Sequence, residues 1–135
     1  MWKTILTIAT ILIIGLIMFN IFSNKTDEKE TQRIDISVEE FKEIKTETPG
    51  IIIDVRTKGE YEEGHLVEAD HQYDLMNGDF AAQLDSLNKD ETYYLYCRSG
   101  NRSGQAARMM KQNGFEKVYN VGGFQDLANA GFETK

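Results

Sequence analysis

The segment Tyr96-Cys97-Arg98-Ser99-Gly100-Asn101-Arg102-Ser103 sets one thiol ahead of five small, polar or basic residues, at a point where a β-rich run gives way to a helical one. Residues of these types at this spacing suit thiolate chemistry. Successive backbone N–H groups in a tight loop entering a helix form an anion-binding concavity, and the helix dipole reinforces it. Arg98 and Arg102 add fixed positive charge. All three effects favour thiolate over thiol: a fall in pKa from about 8.5 to about 6.5 would raise the thiolate fraction at pH 7 from roughly 3% to roughly 75%. The same cradle, Arg98, Ser99, Gly100, Asn101 and Arg102, would hold an oxyanion against the sulfur. A lone cysteine is usually a small buried hydrophobe. A core position, however, is not normally followed by two arginines, Gly and Asn at a strand-to-helix turn, so Cys97 reads as a nucleophile.

The elements that must position this loop follow from residue 34 onward, where short β-branched runs alternate with helical stretches. That is the signature of an α/β fold with an open parallel sheet and helices on both faces. Ile34-Asp35-Ile36 reads as a short strand. Ser37 caps a helix through Lys45, with Glu40 completing a capping box. Ile51 to Val55 lacks polar alternation and predicts a strand buried on both faces. Thr57 with Glu60 makes a second capping box, opening a short helix that ends near Gly64-His65. A short strand follows around Ala69–Tyr73, then a helix from Asp79 to Leu87. Thr92 to Tyr96 is the strand that delivers Cys97, and Ser103 to Asn113 is a helix closed by Gly114. A last strand, Lys117 to Val121, and a last helix, Gly123 to Ala130, complete the pattern. In an open parallel sheet, ligands bind beyond the carboxyl ends of the strands, and the Cys97 loop lies at such an end.

Other residues are read more plainly. Asp54 and Arg56, at a buried strand end, could be acid–base partners, but the position better suits an ion pair or loop brace, with Arg56 meeting Glu60. His65 satisfies backbone groups at a helix end, and His71 is too isolated to make a metal site with it. Tyr93, Tyr94 and Tyr96 alternate between the two faces of the sheet, and Met109 and Met110 belong to the core or rim of their helix. Cys97 is the single cysteine of the 135 residues, which excludes an internal disulfide framework and a multi-cysteine zinc site. No metal or organic cofactor is expected.

Charge divides the chain. No charged residue occurs between Lys3 and Lys25, whereas residues 25–135 hold all 22 acidic residues and all but Lys3 of the 15 basic ones. That surplus of acid makes nucleic acid an improbable partner, because phosphate contacts need clustered Lys and Arg. Thr4 to Phe22 is apolar all round and, at about 1.5 Å per residue, spans roughly 28 Å, enough to cross a bilayer once. It lacks the small-residue cleavage pattern of a signal peptide. Residues 1–24 are therefore expected to form a single-pass transmembrane anchor, 25–33 a flexible spacer and 34–135 the globular domain. Counted alone, Lys25, Lys29 and Arg33 against Lys3 favour a cytoplasmic globule. The very short amino-terminal tail and the acidic residues mixed among the downstream charges favour the outer face of the cell membrane, where the globular domain is expected.

The loop Cys97-Arg98-Ser99-Gly100-Asn101-Arg102-Ser103 resembles the active-site loop of the rhodanese (sulfurtransferase) family, in its single-domain bacterial form. Ile53 to Leu66, IDVRTKGEYEEGHL, is similar to the family's Asp-Val-Arg and Glu-Tyr…Gly-His segments. Asn120 to Phe132, NVGGFQDLANAGF, is similar to its closing Gly-Gly-Phe helix. The family often has Trp where Leu127 stands and Gly near Glu68, differences of packing or turn that leave the chemistry intact. The resemblance implies that Cys97 takes sulfane sulfur from thiosulfate or a persulfide donor and passes it to cyanide or a thiol in a ping-pong sequence. With no second cysteine to resolve the persulfide, the acceptor must be external. Four residues between Cys97 and Arg102 make a tighter ring than the five of the related phosphatases, and so favour a single sulfur atom over a phosphoryl group. The rival reading is a persulfide-relay or binding module acting on a partner protein, with little turnover of small donors.

Overall fold

The computed structural model describes residues 33–135 and, ahead of them, Ile14 alone. Apart from Ile14, the expected anchor lies outside the described residues, as does all but the last residue of the expected spacer. Among those described, no helix is long and apolar enough to cross a membrane.

Residues Arg33–Lys135 form one compact unit. Its elements are α1 (Val38–Glu47), β1 (Ile51–Asp54), α2 (Lys58–Glu63), β2 (His71–Gln72), α3 (Asp79–Gln83), a 3₁₀ turn (Leu84–Ser86), β3 (Tyr93–Cys97), α4 (Asn101–Gln112), β4 (Val118–Gly123) and α5 (Phe124–Asn129). The four strands are all parallel and lie in the order β2-β1-β3-β4. This is the α/β arrangement the alternation predicts, with the cysteine-bearing strand in the interior of the sheet.

Both capping boxes form. Ser37 and Glu40 close the start of α1, and Thr57 and Glu60 the start of α2, each side chain accepting from the other's backbone N–H. The core divides as a sheet buried on both faces must. Ile53, Val55, Tyr93, Leu95 and Cys97 face Phe80, Leu84 and the α4 residues Ala106, Ala107 and Met110. Ile52, Tyr94 and Tyr96 face Phe41 of α1, Leu127 of α5, Leu66 and Phe132. The tyrosines of β3 therefore alternate as expected, and every residue of that strand is buried.

Three elements differ from expectation. Ile34 to Ile36 is not a strand: it makes one isolated parallel bridge, Asp35 with Asn120, held by N–H···O bonds from Ile36 to Asn120 (3.1 Å) and from Asn120 to Ile34 (2.8 Å). The chain turns into α1 at Ser37 before a ladder can lengthen. The expected helix from Asp79 to Leu87 tightens into the 3₁₀ turn after Gln83. α4 begins at Asn101, two residues before Ser103, so Asn101 and Arg102 belong to the helix and the loop proper is only Arg98, Ser99 and Gly100.

Candidate functional site

Cys97 ends β3 with no solvent exposure. The chain leaves it through Arg98 and Ser99, both exposed, and turns at Gly100, whose φ of +89° is left-handed. A side chain there would be strained and would also press on Gly122 Cα, 3.3 Å from the ideal Cβ position. The turn aims donors back at the sulfur. The Gly100 N–H donates to Cys97 Sγ over 3.1 Å, and the Ser103 hydroxyl lies 3.3 Å from it. Burial pushes the thiol pKa up; hydrogen bonding from the Ser103 hydroxyl and from the N–H groups of Ser103, Ser99 and Gly100 outweighs burial, so the pKa lies below its ordinary value.

The sign matches the sequence argument, but the source differs. Arg102, expected as a fixed charge of the cradle, reaches sideways and makes a two-pronged pair with Glu60 of α2, Nη1 to Oε2 and Nη2 to Oε1, both 2.7 Å. The pair holds the Glu60 carboxyl down at about 2, chiefly through the Arg102 hydrogen bonds and against burial, with help from Thr57. Much of the guanidinium's charge is thereby balanced. The donors closest to the sulfur are neutral N–H and O–H groups.

Arg56 does not meet Glu60, as the sequence suggested. It turns back on Asp54, Nη2 to Oδ2 at 2.6 Å and Nε to both oxygens at 3.0 Å, and its Nη2 also donates to the Gly64 carbonyl (2.7 Å). Glu60 is already occupied: it closes its own helix start and is taken by Arg102. The Arg56 guanidinium stacks over Phe124 at 4.4 Å, while Gln72 donates to the Arg56 carbonyl (2.7 Å). Asp54 and Arg56 are thus a buried brace joining β1, the end of α2 and β2. Neighbouring Tyr96 has its phenol pKa raised by burial and by the Asp54 charge, and its oxygen accepts from the Leu66 N–H (3.2 Å). His65 puts Nδ1 2.9 Å from the Tyr61 carbonyl and stacks on the Tyr61 ring, the backbone-satisfying role expected of it.

Beside the loop lies a cleft of about 490 Å³ lined by Arg56, Glu60, Glu63, Gly64, Arg98, Phe124 and Gln125. Gly123, next to the cleft residue Phe124, packs close against the loop: a Cβ there would stand 2.6 Å from the Arg98 carbonyl oxygen. A scan against family models matches residues 37–130 to the rhodanese-like domain. The chain belongs to the rhodanese-like domain family. Among relatives in Bacillus subtilis (strain 168), YrkF, provisionally named a sulfur carrier protein, is 39% identical over 88 residues, covering 64% of this chain and 46% of YrkF. YtwF, provisionally named a sulfurtransferase, is 36% identical over 72 residues, covering 53% of this chain and 67% of YtwF. The chain thus spans about half the length of YrkF. The crystal structure of SSP1007 from Staphylococcus saprophyticus superimposes with a TM-score of 0.62 at 34% identity, covering 75% of this chain and 99% of that one.

Three residues of this rhodanese-like site escape sequence reading. Glu60 was visible as a cap and as a partner for Arg56, yet the same Oε2 that accepts from Thr57 takes Arg102 instead. Ser103 was visible as a helix start and as the end of the loop motif, with no sign that its hydroxyl reaches the sulfur. Asn120 carried one signal, a polar residue inside the apolar run of the last strand.

Proposed function

We propose that this protein is a sulfurtransferase in which Cys97 carries sulfane sulfur. The observation that supports it most is the ring of hydrogen-bond donors around Cys97 Sγ at the end of an interior parallel strand. The Cys97 thiolate attacks the outer sulfur of thiosulfate, the S–S bond of the donor breaks, and sulfite leaves with the electron pair. The product is a Cys97 persulfide, again anionic and again facing the N–H groups of Ser99 and Gly100 and the Ser103 hydroxyl. Cyanide or an external thiolate then attacks the outer sulfur, leaving as thiocyanate or a new persulfide and restoring the Cys97 thiolate. Exposed Arg98, at the cleft mouth, attracts the anionic donor; Ser99, Gly100 and Asn101 shape the cradle; Arg102 fixes its far end through Glu60. Asp54 and Arg56 support the strand end and touch no reacting atom.

A persulfide-relay role, with little turnover of small donors, is the second reading. It is favoured by the complete burial of Cys97, which restricts what can reach the sulfur, and by YrkF's name as a sulfur carrier. In both readings residues 1–24 tether the domain to the cell membrane, with the domain on its outer face and a membrane-side thiol or protein as acceptor. The test is thiocyanate production from thiosulfate and cyanide by the full chain. The expected result is activity that Cys97→Ser abolishes; activity surviving that substitution would remove Cys97 from the mechanism.

A further inference from the structure

Asn120 of β4 is buried, at 7% exposure, and every hydrogen-bonding position of its amide is filled. Oδ1 accepts from the Gly122 N–H (3.2 Å) and lies 2.6 Å from the Ser103 hydroxyl. Nδ2 donates to the Gly100 carbonyl (3.0 Å) and to Asp35 Oδ1 (2.7 Å). The partners leave no freedom over which end is which. Gly122 N–H can only donate, and the Gly100 carbonyl and Asp35 carboxylate accept, so the amide is locked in this orientation. Two of its four partners, Gly100 and Ser103, are the groups that donate to Cys97 Sγ.

The strand is shaped to deliver this amide. Pairing of β3 with β4 runs Leu95 to Asn120 and then Tyr96 to Gly122, so Val121 is an extra residue and β4 bulges immediately after Asn120. Bulges beside active sites re-aim a side chain, and here Gly122 Cα packs against Gly100. We propose that Asn120 is a positioning residue that latches the Gly100 carbonyl to the bulge of β4 and so keeps the Gly100 N–H aimed at the Cys97 sulfur. Ser103 has a single hydroxyl proton to divide between Asn120 Oδ1 at 2.6 Å and the sulfur at 3.3 Å, so the Gly100 N–H is the donor that Asn120 holds in both thiol and thiolate forms.

Other charged groups surround this sulfur and are unchanged by substitution at Asn120. Arg102 of α4 faces it, balanced by Glu60 of α2 and near Asp74; Arg98 lies in the loop; Asp35 stands behind Asn120; Asp126 of α5 lies beside Gly123. The proposal requires Cys97 to be a reactive thiolate but does not require sulfur transfer, so its test uses no sulfur donor. Alkylation of the full chain by iodoacetamide, which has one cysteine to react with, is followed from pH 5 to pH 10. For Asn120→Ala the expected result is a midpoint raised by about one unit, a roughly tenfold slower reaction at pH 6, and a high-pH plateau within about twofold of the parent. An unchanged or lowered midpoint in a folded variant would overturn the proposal, as would a change confined to the plateau. Should Asn120→Ala fail to fold, the uncharged Asn120→Ser, too short to hold the Gly100 carbonyl, is expected to raise the midpoint as well; an unshifted midpoint there also overturns it.

Discussion

Two arginine–carboxylate pairs stand at the carboxyl ends of the strands, and they differ in depth. The Asp54 and Arg56 side chains are 0% and 5% exposed, whereas Glu60 and Arg102 are 23% and 19% exposed. The deeper pair is local, two residues apart, and closes on architecture: a strand end, a helix end and an aromatic ring. The shallower pair joins residues 42 apart and ties α2 to the first turn of α4, directly behind the cysteine loop. An arginine near a nucleophile is therefore not automatically a substrate ligand. Here one arginine braces the sheet and the other holds the cradle's frame, leaving Arg98 as the exposed cation at the cleft.

The comparison is tested most severely by removing one partner of the deep pair. Asp54→Ala strands the Arg56 charge in the core and is expected to cost about 3 to 5 kcal/mol in urea unfolding; a loss under about 1 kcal/mol would show the brace to be dispensable. The shallow pair has a pH signature instead. Glu60 is lowered from 4.5 to about 2 in the folded chain, so its contribution to stability is present above pH 4.5 and is lost as pH falls through about 2. Urea midpoints measured between pH 2 and pH 5 should rise with pH, and Glu60→Gln should flatten that part of the curve.

Glu60→Gln should also act on the sulfur. Freed of its carboxylate, Arg102 presents an uncompensated charge to Cys97, and the alkylation midpoint is expected to fall by about half a unit; a rise would mean that the pair serves the thiolate by geometry rather than charge. The smallest effect belongs to Lys58–Glu62, exposed at 81% and 63%. Lys58→Ala should change stability by about 0.5 kcal/mol or less, and a larger loss would undercut the ranking by depth.

What could be read from sequence follows the same division between local and distant. The capping boxes at Ser37 and Thr57 need only residues three apart, and the doubly buried β1 and β3 show as unbroken apolar runs, so these were legible. So was the Cys97 loop, because its composition suits no core position. The Glu60–Arg102 pair and the Asn120 latch depend on which helix lies beside which strand and on a bulge in β4, and neither leaves a periodic trace. The same limit applied to Arg56: Glu60 was a plausible partner until Arg102 was seen to hold it.

Sulfur transfer through this site requires that Cys97, as a thiolate, accept a sulfur atom. Intact-mass measurement of the full chain after brief treatment with thiosulfate tests it directly. The expected result is a gain of about 32 Da, one sulfur atom, located on Cys97, removed by cyanide and absent from Cys97→Ser. An unmodified Cys97 in a folded protein that had nonetheless consumed thiosulfate would contradict it.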